Sequence, residues 1–193
     1  MNASPIFILF FVFSISVMAQ DLPFSSLPSA PDEFTAGTSI SRMVQGLGFR
    51  YYWATEGLRE EDLVYRPTEE AQSTLGTLQH IFNLSTMILS TTKNKAFNRE
   101  TIETPQTLEE LRILTLNQIE EAAQLLQEKT DQELQTLKII FDRGGAQSEF
   151  PAWNLINGPI SDALYHTGQV VSFRRTSGNP IAKGVNVFLW VKN

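Results

Sequence analysis

Residues 151–175 read PAWNLINGPISDALYHTGQVVSFRR. Wound as one helix at 100° per residue, this stretch puts Leu155, Pro159, Asp162, His166, Gln169, Val170 and Phe173 on a single narrow stripe. An aspartate, a histidine and a glutamine therefore share the face that should enter a core. Burying an unpaired carboxylate costs several kcal/mol, so such a residue normally has a charged partner or a metal. Asp162 and His166 are four apart, on neighbouring turns, a spacing from which two side chains reach the same ion.

Working outward, three more helical stretches precede this one. Ile40, Met43, Val44, Leu47 and Tyr51 recur at helical spacing and predict a first helix over Thr38–Gly57. The charged, proline-ended segment Arg59–Pro67 predicts a connection. Ser73 offers an N-cap for a second helix to Ser90, with His80 on the same side as Thr77, Ile81, Leu84 and Met87. A polar loop is expected over 91–105. Thr107 and Glu110 have the spacing of a capping box for a third helix reaching Lys129, whose five glutamates are read as solvated surface. Thr136–Phe141 favours a short strand, 142–148 a turn around Gly144-Gly145, and Val185–Val191 an extended tail. The fourth helix stops at Gly178-Asn179-Pro180. The expected architecture is an all-α four-helix bundle occupying residues 37–193.

The N-terminus reads as a targeting signal. Ile6–Met18 is nearly unbroken apolar sequence, too short for a bilayer-spanning helix of about 20 residues. Val17-Met18-Ala19 suits signal-peptide cleavage before Gln20, although no Lys or Arg precedes the apolar run. Residues 1–19 are thus expected to be a signal peptide, and 20–36 an extended linker. Retained, the same run would be an N-terminal anchor; either way the domain faces the far side of a membrane. After cleavage no stable membrane insertion is expected.

Composition narrows the functional classes. A formal net charge of −6 and a pI near 5.0 argue against nucleic-acid binding, for which Arg174-Arg175 is the nearest approach to a basic stripe. With no cysteine there are no disulfides, thiolate nucleophiles or thiolate metal sites. With two histidines, any metal site must recruit an oxygen donor. His80, Asp162 and His166 form that set, and bundles build metal sites in this way from facing helices. From spacing alone, a hydrogen-bonded core network without metal explains the same residues. Gln169, Asn83 and Tyr165 stand one turn or less away as neighbours able to orient a ligand or line the pocket. Asn83 and Tyr165 read more simply as packing or surface residues.

Asn157–Gln169 resembles the last bundle helix of the DinB-like (YfiT-like) superfamily, where a histidine, a small residue, glycine and glutamine follow another ligand four residues upstream. Thr74–Ile81 resembles the second-helix motif of the same family, a leucine-rich entry before the first ligand histidine. The resemblance implies a four-helix bundle and a metal triad at His80, Asp162 and His166. Asp162 stands where histidine is commoner, which keeps three donors but changes charge and softness. It further implies a divalent transition metal, Zn²⁺ foremost, with Fe²⁺, Ni²⁺ or Mn²⁺ also suited. It implies metal-dependent hydrolase chemistry or, in some members, thiol transfer, against which export argues. A non-catalytic module binding a small ligand or metal is the alternative. The partners expected are a small-molecule ligand or substrate and, between copies, a homodimer.

Overall fold

A computed structural model describes residues 22–193. The signal-peptide reading lies outside these residues. Among them no helix is long and apolar enough to cross a membrane.

Four long helices form the bundle: α1 (Ala36–Thr55), α3 (Thr74–Thr92), α4 (Leu108–Gln127) and α7 (Ser161–Thr176). They pack as a ring, α1 against α4 and α7, and α3 against α4 and α7. Their shared interior holds Leu47, Tyr51, Leu78, Ile81, Ile88, Leu111, Ile119 and Leu126, all fully buried. Each such side chain contributes roughly 1.5–3 kcal/mol of transfer free energy. Local capping fixes the starts. The Ser73 side chain accepts from the Gly76 amide, and Thr35 and Thr38 form a capping box that begins α1 two residues earlier than the periodicity suggests. Thr107 accepts from the Glu110 amide, and its hydroxyl pairs with the Glu110 carboxylate, so only half of the expected capping box forms. At Gly37 a Cβ would lie 2.6 Å from the Lys129 carbonyl oxygen, so only glycine lets α1 approach the end of α4 this closely.

Short elements occupy what the sequence suggested were connections. One helical turn, α2 (Glu60–Leu63), buries Asp62 within Arg59–Pro67. The polar loop 91–105 contains β1 (Ala96–Phe97) and a 3₁₀ turn at Arg99–Thr101. A capped helical turn, α5 (Asp131–Thr136), follows α4. The expected strand lies at β2 (Lys138–Arg143), and the expected turn 142–148 narrows to Gly144-Gly145, its flanks belonging to β2 and to a second strand, β3 (Ala146–Pro151). β2 runs antiparallel to β3, Lys138 opposite Pro151 and Arg143 opposite Ala146, and parallel to β1. Gly144 and Gly145 take φ of 69° and 104°, the left-handed pair a two-residue hairpin loop demands. The rings of Phe97, Phe141 and Phe150 contact edge-on across the three strands. The C-terminal tail closes on itself as a ribbon, β4 (Val185–Asn186) against β5 (Val191–Lys192).

The largest departure is in the fourth helix. After a single turn, α6 (Trp153–Leu155), the chain widens into a π-type turn over Ile156–Ile160 before α7 begins. Pro159 has no amide to donate, and Gly158 leaves the helical region at φ −98°, ψ −108°. A π turn inserts one residue into the helical count. The buried face downstream accordingly falls on Ala163, Thr167, Val170 and Arg174, instead of the predicted 162, 166, 169, 170 and 173.

Candidate metal centre

That one-residue offset decides where the candidate ligands sit. Asp162 and His166 do not point into the core; they lie beside it, facing His80 across the α3–α7 seam. Their side chains are 44% and 18% exposed, and that of His80 is 33% exposed. The expectation of a deeply buried site is thus corrected to a half-open one. Desolvation of a lone carboxylate is no longer the reason to suspect an ion; convergence is.

His80 Nε2 lies 3.2 Å from Asp162 Oδ2, and His166 Nε2 lies 3.3 Å from Asp162 Oδ1. The two imidazole rings meet edge-to-face at 4.5 Å between centroids. One donor atom from each of the three residues falls within 4.8 Å of the others. Donors at 2.0–2.1 Å around a tetrahedral ion are about 3.3 Å apart, and the three donors here, within 4.8 Å of one another, are near enough for side-chain rotation to bring them onto one ion. The cluster can therefore hold a metal ion.

Gln169, one turn beyond His166, places Oε1 2.7 Å from His166 Nδ1, and its amide nitrogen donates to the Tyr165 hydroxyl at 3.3 Å. With Gln169 Oε1 accepting, His166 donates from Nδ1 and turns Nε2 toward the carboxylate. A carbonyl oxygen on the remote ring nitrogen is the usual way a ligating histidine is oriented. Tyr165 is otherwise exposed.

Of the two simple readings, packing or surface, Asn83 takes the first. It is only 2% exposed, its amide donating to the Gln79 carbonyl, while Oδ1 is buried without a partner. It lines a cleft of about 540 Å³ beside His80. A second cleft, of about 490 Å³, reaches Asp162 and Tyr165 along the broken helix, with Leu84 bordering both. Sequence reasoning missed the outer wall of the first cleft, made by Phe97–Glu100 and Phe141–Arg143. These residues reach His80 only through strand pairing, which no local pattern announces.

Comparison with known proteins agrees with this architecture. The family model described as DinB family matches residues 45–183. A crystal structure of a DinB-like protein from Bacillus subtilis superposes with a TM-score of 0.55 at 16% identity, covering 72% of this chain and 92% of that one. At this identity the likeness concerns the fold alone. No curated protein sequence matches the chain. With the family match spanning most of the bundle, the chain belongs to the DinB family.

Proposed function

We propose that the chain is an exported metal-dependent hydrolase whose ion is held by His80, Asp162 and His166. The observation that carries this reading is a three-donor cluster that is open on one side, between two clefts. Three protein donors facing a cleft leave coordination positions for water and substrate, whereas a storage or purely structural site would be closed. When bound, a divalent ion supplies Lewis acidity and makes water a nucleophile near neutral pH. The protein's own groups do the rest. Asp162 bridges the two histidines and neutralises part of the cation's charge. Gln169 fixes the His166 ring so that Nε2 faces the cluster. Leu84, Met87, Phe97 and Phe141 give the larger cleft an apolar floor on which a substrate's non-polar part can rest. Zn²⁺ suits two imidazoles and a carboxylate best, with Fe²⁺, Ni²⁺ and Mn²⁺ as competitors.

Elemental analysis of tag-free protein tests the foundation. Near-stoichiometric metal in the wild type, lost in Asp162→Ala and His80→Ala, is expected. Less than about a tenth of an equivalent, with no thermal shift on adding Zn²⁺, Fe²⁺ or Ni²⁺, would leave a metal-free hydrogen-bonded cluster instead. For catalysis, hydrolytic activity should vanish on chelation and return with one metal; activity unchanged in His166→Ala refutes the mechanism. Export is tested separately, by fractionating cells that express the full chain and by the N-terminal residue of the mature protein.

A further inference from the structure

The face formed by α1, α7 and the C-terminal ribbon carries a groove that none of the three cluster residues lines. It consists of two clefts, of about 620 and 330 Å³, that share Arg50 and Leu164. Its walls are largely apolar, with Trp190 and Met43 in the larger part and Trp53 and Val171 in the smaller. Its charged residues are Arg42, Arg50 and Arg175, and no aspartate or glutamate lines either part. In a chain with 21 acidic and 15 basic residues this is a marked local reversal.

These arginines lack carboxylate partners among the described residues. Arg42 lies 4.1 Å over the Trp190 ring and donates to Pro28 and Gln45. Arg50, half-buried, donates to the Gly46 carbonyl, and its burial lowers the pKa of its guanidinium. A guanidinium offers five N–H donors, so most of its capacity is left over. The groove is also built. Trp190 adopts φ of 57°, a conformation rare for a bulky residue, with its amide donating to Asn186 and its carbonyl accepting from Leu27. At Gly46 a Cβ would stand 3.2 Å from Arg50 Nη1 and 3.3 Å from the Trp190 ring, so the missing side chain leaves room for both.

We propose that this groove binds an amphiphilic monoanion, a carboxylate on an unbranched apolar tail. Arg50 and Arg175 hold the headgroup, and the tail lies along Trp190 and Met43. Guanidinium forks match carboxylates in geometry, and the apolar walls supply affinity for the tail. A second copy of the chain is a poorer occupant. A two-fold contact through this face would set the same arginines against one another.

Tryptophan emission reports on the groove directly, since Trp53 and Trp190 line it and Trp153 stands exposed elsewhere. The full chain is titrated with decanoate, decan-1-ol and decyltrimethylammonium. Decanoate should bind about tenfold or more tighter than the alcohol, and the cation weakest. Arg50→Gln and Arg175→Gln should each weaken decanoate about fivefold or more, with decanol affinity unchanged. Arg175 is exposed, so its variant remains informative if Arg50→Gln folds poorly. Equal affinity for decanoate and decanol overturns the proposal, as does wild-type decanoate affinity in a folded Arg175→Gln protein. A dimer in sedimentation that decanoate fails to dissociate, with no emission change, overturns it as well.

Discussion

Arg174 allows one prediction to be worked through in detail. Read as sequence, Arg174-Arg175 resembled the beginning of a basic stripe; in the fold, Arg174 is 2% exposed. Its guanidinium donates to the carbonyls of Ala54 at 3.0 Å, Glu56 at 2.7 Å and Asn179 at 2.8 Å. The first two belong to the end of α1, where helix carbonyls have no intrahelical donor. Arg174 therefore ties the last turn of α7, the helix carrying Asp162 and His166, to the last turn of α1. Arg174→Met keeps the length and removes the donors. Leaving a buried acceptor unpaired costs about 1–3 kcal/mol. The Ala54 carbonyl should bear that in full, and the other two in part because they lie nearer solvent. Relief of the arginine's own desolvation offsets some of the loss. The net expectation is a destabilisation of about 2–4 kcal/mol. For a domain of this size that lowers Tm by roughly 5–15 °C. Urea unfolding followed by far-UV circular dichroism, alongside calorimetry, measures both. Arg174→Lys should recover only a fraction, because one ammonium cannot span three carbonyls. A loss below about 1 kcal/mol for Arg174→Met, at unchanged m-value, would refute the clamp.

Two further outcomes can be stated briefly. Gln169→Leu should weaken metal affinity about 10- to 100-fold in a chelator competition, because His166 loses the partner that orients it, while Tm changes little. Asp62 is buried and receives hydrogen bonds from Arg59, Ser177 and Asn179. These, Arg59 foremost, hold its carboxyl well below the usual carboxylate range against the opposing effect of burial. The stabilisation is complete above the ordinary aspartate pKa of about 3.9 and disappears as pH falls through the lower folded-state value. Urea midpoints should therefore drop between about pH 5 and pH 2 in the wild type and be flatter in Asp62→Asn. Parallel profiles would refute the assignment.

The parts of the fold legible in the sequence were those written in nearest-neighbour chemistry. Ser73 and Thr107 marked helix starts because a capping hydroxyl acts within three residues. The apolar spacing of α1, α3 and α4 reflects the ring of neighbours that buries them. Ala146–Pro151 escaped because all six of its residues are exposed, so burial imposes no alternation on it. It is a strand only because Gly144-Gly145 folds it onto β2. Within the candidate site, the identities of His80, Asp162 and His166 were readable from spacing and resemblance, but their setting was not. Asn157-Gly158-Pro159 was visible as a helix breaker and was read through as continuous helix. The predicted inward stripe was consequently one residue out of phase from Asp162 onward. Asn83 was left between packing and surface for a different reason: its burial depends on how closely α3 is covered, which periodicity does not report.

The widened turn at Ile156–Ile160 absorbs one residue of chain length, so the phase of α7 depends on the turn staying open. A substitution in α7 alters one group, whereas straightening the turn with no residue lost would re-aim every side chain after it. Asp162 and His166 would swing to the inward positions of Ala163 and Thr167, and Ser161 and Tyr165 would take their places at the cleft. Deleting Asn157 removes the extra residue, so the turn can close into regular helix with Asp162 and His166 still at the cleft; metal retention should survive, and its loss with helicity intact would show that the turn does not set the phase. For this stretch of chain, the reading frame of the helix matters as much as the identity of its residues.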